Sequence, residues 1–285
     1  MIPERSFTRT SILARLQATL ERKEPIISVS AGVGIIAKCA EIAGVDLIQV
    51  IASGKSRHLG VPTTVNIGNA TSMTLAMLPE IDNVVERTPI IGGAEATDGS
   101  RRRLGRTIEE YKAAGFDGIS NFPTTGTFPG WGEARKDVGE GSDREFEMVS
   151  LARAADYFTV GQAYTTEFAS GLAAAGADVV IARCGLTAGG RRGPSADSAD
   201  SPQSAAAHVQ AIVEAARAES PDVIVLAHGG PFATPEDTDF LYAATDVHGF
   251  HAESAIERIP VENYVEAEIR AFKNLSLRHS ARVNA

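Results

Sequence analysis

Short apolar runs rich in valine and isoleucine recur eight times along the chain, and each is followed by a break rich in glycine or polar residues. An alanine-rich amphipathic stretch usually comes next, so the repeating order is strand, loop and helix. Continuous apolar runs are typical of strands buried on both faces, as in a parallel sheet, because half-exposed strands alternate apolar and polar positions. The predicted strands are residues 26–30, 46–51, 89–95, 116–122, 157–164, 177–184, 221–228 and 247–253.

Several of the predicted helices end in the pattern Ala-Gly-x-Asp, as in EIAGVDLI, KAAGFDGI and AAAGADVV. Glycine suits the left-handed position that ends a helix, and the next apolar residues begin a strand. Eight strands alternating with helices favour a closed barrel, because parallel strands need crossover connections and eight of them close around their side chains. We therefore predict a single (β/α)8 TIM-barrel domain over residues 1–285, with a leading N-terminal helix at about 8–23. An open doubly wound sheet is the alternative, although no GxGxxG motif follows the first strand.

Composition and charge limit the kinds of molecule that the protein is expected to bind. Of the 285 residues, 44% are hydrophobic and 22% are charged, and the net charge of −9 gives no basic surface for nucleic acid or an anionic membrane. The N-terminal residues lack a continuous apolar segment, and no window approaches a membrane span, so we expect a cytoplasmic protein with no membrane partner. Cys39 and Cys184 show no CxxC spacing and are expected to be reduced, mostly buried thiols. The acidic, alanine-rich helices would permit a homo-oligomer.

The residues at the predicted strand ends resemble, in combination and in order, those of the phosphoenolpyruvate hydrolase-like family. The matching segments are SAGVGIIAKCAEIAGVDLI (30–48), ATD (96–98), GFDGISNFPTTG (115–126), ADVVIARCGLT (177–187), PDVIVLAHGGP (221–231) and HGFHAESAIERIPVE (248–262). The resemblance implies the barrel of the phosphoenolpyruvate mutase and isocitrate lyase group, in its stand-alone form. Members of that group handle 2-oxo acids and enolates, usually with Mg²⁺. The KxCG-type loop of the lyases in the group is missing from the sequence, so their catalytic residues do not carry over.

In barrels of this kind the catalytic side chains come from the C-terminal ends of the strands. Glu95 and Asp98, after the third strand, are candidate Mg²⁺ ligands, because hard cations take carboxylate oxygens and keep several waters. Asp98 could instead be the N-cap of the following helix. Asn121 and Thr124, after the fourth strand, can donate to a carboxylate or an enolate oxygen, or they can serve as turn residues.

The sixth and seventh strands end in the candidates for anion binding and proton transfer. Arg183 offers a fork of donors for a carboxylate or phosphate, and the alternative is pairing with an interior glutamate. His228 could act as a general acid or base near neutral pH, and the alternative is a buried, hydrogen-bonded histidine. The adjacent Gly229 and Gly230 would let backbone N–H groups approach an anion.

The remaining candidates lie at the eighth, first and second strand ends. Glu253 is a candidate second catalytic carboxylate, and Ser254 is a helix cap that could bind phosphate. Gly32, Gly34 and Ser53 are further candidates for substrate binding. Lys55 and Arg57 are expected to be solvated. His248 and His251 are expected to pack or to face solvent, because alternate residues of a strand share one face.

The leading hypothesis is a hydrolase or lyase that acts on a small 2-oxo acid or an enol phosphate, such as phosphoenolpyruvate or phosphonopyruvate. A metal ion would stabilise the enolate or oxyanion, and Arg183 would hold the anionic group of the substrate. One alternative is hydrolysis of a carbon–carbon bond in a β-dicarbonyl compound. Another is a non-catalytic barrel that senses a metabolite, because the same fold hosts many unrelated functions.

Overall fold

Eight parallel strands form a closed barrel in the computed structural model, which describes residues 5–64, 67–127, 129–195 and 198–277. Each strand pairs with its neighbours in sequence, and β1 pairs with β8 to close the cylinder. The predicted (β/α)8 barrel is therefore confirmed. The strands are β1 (Ile26–Ser30), β2 (Leu47–Val50), β3 (Ile90–Gly93), β4 (Gly118–Ser120), β5 (Phe158–Ala163), β6 (Val179–Arg183), β7 (Ile224–His228) and β8 (Gly249–Ala252).

Helices surround the barrel, and the predicted leading helix is α1, which begins after the N-cap Thr8. The domain range 1–285 stays a prediction, since it extends over positions outside the described residues. The helices of the described part are α1 (Arg9–Glu21), α2 (Gly34–Ile42), α3 (Ala52–His58), α4 (Ala70–Asp82), α5 (Leu104–Ala114), α6 (Pro129–Lys136), α7 (Ser142–Ala154), α8 (Thr166–Ala174), α9 (Pro202–Glu219), α10 (Pro235–Ala244), α11 (Ser254–Glu257) and α12 (Ile259–Lys273).

The Ala-Gly-x-Asp pattern fixes the N-terminal end of the barrel. Its glycines adopt the left-handed conformation that ends each helix, with φ of +105° at Gly115. Its aspartates bind the backbone of the preceding strand: the Asp46 carboxylate accepts from Ile27 N–H and that of Asp117 from Ile90 N–H, both at 2.8 Å. The third aspartate, Asp178, binds the backbone of β5 in the same way. The pattern thus ends a helix and connects two neighbouring strands by hydrogen bonds between an aspartate side chain and the backbone.

The barrel interior is apolar at one end and polar at the other. Ile12 and Leu16 of α1 are buried against Ile26, Leu47 and other strand residues, so that α1 closes the N-terminal end. Burying such side chains stabilises a fold by about 1.5–3 kcal/mol each. Towards the C-terminal end the buried interior residues are polar, among them Ser28, Gln49, Gln162, Arg183 and His251. A functional site is therefore expected at that end.

Three long connections, at 52–88, 123–142 and 187–203, leave the C-terminal ends of β2, β4 and β6. The first contains α3 and α4, and the second contains a 3-10 turn (Thr125–Thr127) and α6. Each also includes positions outside the described residues. The expectation of two buried thiols is wrong for Cys39, which lies on the exposed side of α2, while Cys184 is half-buried. No helix in the described part of the chain is long and apolar enough to cross a bilayer.

Candidate active site

A cavity of about 240 Å³ opens at the C-terminal end of the barrel, among the connections that follow β2 to β6. It is smaller than the 300–1,000 Å³ pockets that are typical of drug-sized ligands. Each of these strands contributes at least one polar side chain to the wall. These residues include Ser53, Glu95, Thr124, Tyr164 and Arg183. Four of them were predicted as site residues, and Tyr164 was missed although it ends the predicted fifth strand.

Arg183 combines both roles that the sequence left open. Its guanidinium donates to Tyr164 Oη at 3.1 Å, to Gln162 Oε1 at 2.7 Å and to Glu253 Oε1 at 2.9 Å. It also lies over the ring of Phe122, 5.2 Å from its centroid. A guanidinium carries five N–H bonds, so two have no partner among the described residues. Because Arg183 also lines the cavity, these two donors are suited to an anionic ligand.

Glu95, which follows β3, also lines the cavity. Burial, with the nearby Asp98 carboxylate, raises the pKa of Glu95, and Arg135 only partly offsets this. Arg135 also lines the cavity, and it donates to the backbone oxygens of Thr97 and Glu140. Negative charge at Glu95 is therefore incompletely compensated, which is the electrostatic setting of a cation or proton site.

Asp98 does not line the cavity. Its carboxylate accepts from Asn69 Nδ2 at 2.7 Å and from the backbone and hydroxyl of Ser100, at 2.8 and 2.6 Å. Those hydrogen bonds outweigh burial and lower the pKa of Asp98. The helix α5 begins only at Leu104, with Arg103 as its N-cap, so Asp98 is not the cap of that helix. It stabilises the turn before α5 instead, and its oxygens are already engaged.

Asn121 is buried beneath the cavity rather than in its wall. Its amide donates to Glu145 Oε2 at 2.5 Å, and its oxygen accepts from Gln162 N–H at 2.6 Å. Glu145 also accepts from the backbone and hydroxyl of Thr125, at 2.8 and 2.6 Å. These hydrogen bonds engage the side chain of Asn121 within the protein, and its donation to a substrate stays a prediction. Asn121 and Glu145 hold the connection after β4, which brings Thr124 to the cavity.

Glu253 is the centre of a buried group of charges. It accepts from Arg183 at 2.9 Å and from Arg57 Nη1 at 3.2 Å, and it also lines a neighbouring cavity of about 190 Å³ together with Ser254. Burial would raise the pKa of Glu253, but Arg183, His228 and Arg57 hold it well below its usual range. Arg57 also pairs with Glu257 and is only 4% exposed, so the expectation that it is solvated is wrong.

His228 ends β7 as predicted but does not line either cavity. Its Nδ1 lies 2.8 Å from the backbone oxygen of His251, and its Nε2 lies 3.7 Å from Glu253 Oε1. Burial, with Arg183, lowers the pKa of His228 to about 3, so the ring is neutral near pH 7. The acid or base role of His228 therefore stays a prediction.

The four glycines predicted to bind substrate do not line either cavity. Gly32 N–H donates to Glu257 at 2.6 Å, and Gly34 N–H donates to Glu80 at 2.8 Å on the outer side of the barrel. Gly229 and Gly230 have φ of +82° and +58° and pack against the connection after β6. The N–H groups of Gly32 and Gly34 are thus engaged within the protein, and substrate binding by the four glycines stays a prediction.

Two observations test whether the chain could hold a metal. His228, His251 and Glu253 place one ligand atom each within 4.8 Å of one another, and all three are buried. A site with two imidazoles suits zinc and similar metals, whereas Mg²⁺ prefers oxygen. Glu95 fits Mg²⁺ better, because its uncompensated carboxylate faces a cavity with room for water ligands. His251 was expected only to pack or to face solvent, although it pairs in register with the inward-facing Ser28.

An eight-stranded parallel barrel with a charged cavity at its C-terminal end is the architecture of a TIM-barrel protein that binds small molecules. Residues 11–275 match the model of the phosphoenolpyruvate hydrolase-like family, and the chain therefore belongs to that family. This confirms the resemblance seen in the sequence.

The curated relatives are longer proteins. The ToMV resistance protein Tm-1(GCR237) of Solanum lycopersicum is 36% identical over 280 residues, which cover 96% of this chain and 37% of that protein. The y4pA protein of Sinorhizobium fredii (strain NBRC 101917 / NGR234), named as a candidate transcriptional regulator, is 28% identical over 281 residues, which cover 94% of this chain and 44% of that one. The chain thus spans well under half the length of these relatives.

Solved structures share the fold at low identity. A phosphonopyruvate hydrolase, in complex with oxalate and Mg²⁺, superposes with a TM-score of 0.61 at 19% identity, covering 96% of this chain and 91% of that one. Other neighbours are hydrolases and lyases, including a 2,3-dimethylmalate lyase of the phosphoenolpyruvate mutase/isocitrate lyase superfamily and an oxaloacetate acetylhydrolase. These matches confirm the predicted barrel fold.

Proposed function

We propose that the protein is a hydrolase or lyase that acts on a small 2-oxo acid or enol phosphate, with metal-assisted stabilisation of an enolate or oxyanion. The observation that carries this proposal is that Arg183 and Glu95 line the same small cavity, with two N–H bonds of Arg183 still available. A cationic fork and a cation-binding carboxylate are the two groups that an enolate or oxyanion intermediate requires. The phosphonopyruvate hydrolase and oxaloacetate acetylhydrolase neighbours favour the same class of substrate.

Each side chain of the cavity has a defined task in this proposal. Arg183 binds the carboxylate or phosphonate group, and the hydroxyls of Ser53 and Thr124 are placed to donate to the remaining oxygens. Glu253 is a positioning residue, because it holds Arg183 from below. Glu95 would hold Mg²⁺ together with water ligands, and the bound ion would stabilise negative charge on the substrate oxygen. The acid or base role predicted for His228 is not retained.

Turnover measurements test this assignment. Phosphonopyruvate, phosphoenolpyruvate, oxaloacetate and a β-dicarbonyl compound are each incubated with the protein, with Mg²⁺ and with EDTA. We expect product from at least one of the first three, dependence on Mg²⁺, and loss of most activity in Arg183→Lys, which keeps the charge but loses the fork. Turnover of the β-dicarbonyl compound alone, without metal, would support carbon–carbon bond hydrolysis instead. No product from any compound removes the substrate assignment.

A metabolite-sensing role is the second candidate. It is favoured by the 28% identity to y4pA, which is named as a candidate transcriptional regulator. A sensor would use the same cavity and the same anion contacts but would return its ligand unchanged. Binding of oxalate without turnover of any 2-oxo acid is the result that separates this role from an enzyme.

We further propose that the protein is a homo-oligomer, acts on small anions, has no nucleic-acid or membrane partner, and resides in the cytoplasm. The net charge of −9 supports the absence of a nucleic-acid or anionic membrane partner, since both would be repelled. α12 supports self-association, because no described residue of this helix is buried and its apolar residues recur every three to four positions. These residues are Val261, Tyr264, Val265, Ile269 and Phe272.

A further inference from the structure

Five buried side chains inside the barrel close a ring of polar contacts beneath the cavity. Arg183 Nη1 donates to Gln162 Oε1 at 2.7 Å, and Gln162 Nε2 donates to Gln49 Oε1 at 3.1 Å. Gln49 Nε2 lies 3.3 Å from His251 Nδ1. His251 Nε2 lies 3.4 Å from Glu253 Oε1, an electrostatic contact that does not have the geometry of a hydrogen bond. Glu253 Oε1 accepts from Arg183 Nη2 at 2.9 Å, which completes the ring. All five residues are at most 2% exposed.

Only one arrangement of hydrogen-bond donors and acceptors around the ring is consistent. A guanidinium can only donate, so the oxygen of Gln162 must face Arg183 and its NH₂ group must face Gln49. The oxygen of Gln49 then faces Gln162, and its NH₂ group faces His251 Nδ1 and Ser28 Oγ, which is 3.2 Å away. Reversing either amide would set donors against donors in a buried place, at a cost of about 1–3 kcal/mol for each unsatisfied group. Ser28 Oγ also lies 3.0 Å from His251 Nδ1, and it can accept from Gln49 and donate to His251. Because the NH₂ group of Gln49 faces Nδ1, a proton on Nδ1 would set two donors against each other, so the contacts favour Nδ1 as the acceptor and the ring proton on Nε2, facing Glu253.

His228 receives the opposite tautomer. Its Nδ1 lies 2.8 Å from a backbone carbonyl oxygen, which can only accept, so the proton is on Nδ1. Its Nε2 lone pair then faces Glu253 Oε1 across 3.7 Å. A metal held by His228, His251 and Glu253 would need lone pairs on both Nε2 atoms. It would force His251 Nδ1–H against the NH₂ group of Gln49, and it would add positive charge beside Arg57 and Arg183.

We propose that Gln49 and Gln162 are positioning residues, which orient this ring, fix the Nε2–H tautomer of His251 and hold Arg183 at the floor of the cavity. His228, His251 and Glu253, which lie below the cavity, then hold Arg183 in place and do not bind a metal. The importance of Arg183 for anion binding rests on the function proposed above. The direction of the ring does not depend on that function, so the two can fail separately.

The tautomers can be read by long-range ¹H–¹⁵N spectra of histidine-labelled protein, with His228→Gln and His251→Gln assigning the signals. We expect protonated Nε2 at His251 and protonated Nδ1 at His228, unchanged by one equivalent of Zn²⁺. Gln49→Met should abolish the tautomer preference of His251, and Gln210→Met, on the helix α9 outside the barrel, should leave it intact. A wild-type His251 protonated at Nδ1, or a Zn²⁺ ion that shifts both rings and is lost in His251→Gln, would overturn the proposal.

Oxalate binding tests the effect on Arg183. Gln162→Met removes one hydrogen bond to a charged group, so the Kd for oxalate should rise about tenfold or more. Gln210→Met should leave this Kd unchanged, and an unchanged Kd in Gln162→Met would contradict the positioning role. If Gln162→Met does not fold, the tautomer measured in Gln49→Met decides. If wild-type protein does not bind oxalate, the proposed function fails while the spectra still report on the ring.

Discussion

Replacing Glu253 by glutamine should destabilise the protein strongly, because the change leaves a buried guanidinium without its carboxylate. The side chains of Arg183 and Glu253 are 2% and 3% exposed. Arg57 keeps Glu257 as a partner, whereas the other side-chain acceptors of Arg183, Gln162 and Tyr164, carry no charge. Removing one partner of such a buried pair costs about 3–5 kcal/mol. At about 2.1 cal/mol/K per residue the unfolding entropy is roughly 0.6 kcal/mol/K, so the Tm should fall by roughly 5–8 °C.

A double-mutant cycle isolates the pair from other effects of the substitution. The free energy of unfolding is measured in urea for Glu253→Gln, Arg183→Met, the double variant and the wild type. We expect a coupling energy of about 2 kcal/mol, since the double variant no longer buries the unpaired charge. The exposed pair Arg191 and Glu266 is the matched control, with a coupling below about 1 kcal/mol. Equal coupling in the two cycles would refute the view that Glu253 anchors Arg183 by charge.

Three other substitutions test Glu95, His228 and the exposed helix α12 separately. Burial raises the pKa of Glu95 in the folded protein, so the protonated carboxyl group contributes to stability, and this contribution is fully present below the ordinary pKa of 4.5. It is lost as the pH rises through the raised pKa of the folded state. Glu95→Gln should therefore raise the Tm at neutral pH but not in acid, and a lower Tm at neutral pH would contradict this. His228→Gln should keep most of the wild-type kcat/KM, in contrast to Arg183→Lys. A loss of about a hundredfold or more in His228→Gln, the size expected for acid–base catalysis, would show that His228 is catalytic. Phe272→Glu should reduce the mass seen in light scattering, whereas an unchanged mass would exclude α12 from the interface.

The hydrophobic pattern predicts burial better than it predicts strand ends. The run 26–30 coincides with β1, but the run 116–122 contains only the three residues of β4. Phe116 lies outside the strand, where its ring stacks on Tyr111 with centroids 5.0 Å apart. Phe122 packs over the guanidinium of Arg183. Aromatic residues at the two ends of a strand are thus buried by side-chain packing, which extends the apolar run beyond the hydrogen-bonded ladder.

The site was predictable where a residue's position follows from its own strand. Glu95 and Arg183 follow this rule, because the C-terminal ends of parallel strands meet at one end of the barrel. Arg57 does not, since its burial depends on Glu253 and Glu257, which lie 196 and 200 residues further along the chain. Asp98 follows its strand as predicted, but hydrogen bonds from Ser100 and from Asn69, which lies 29 residues earlier in the chain, engage its oxygens. Sequence position identified the end of the barrel but not which polar groups were already paired.

Charge balance below the cavity explains why the proposed function places the cation at Glu95. Arg57 and Arg183 are matched by Glu253 and Glu257, and the lowered pKa values of the two interior histidines keep both rings neutral. The buried group is therefore close to electrically neutral, and an incoming dianion gains little net attraction from it. Two N–H bonds of Arg183 can orient such a ligand, but its second charge needs a further positive group. A cation at Glu95 supplies that charge and also compensates the carboxylate itself, so anion and Mg²⁺ should each strengthen the binding of the other by the same factor.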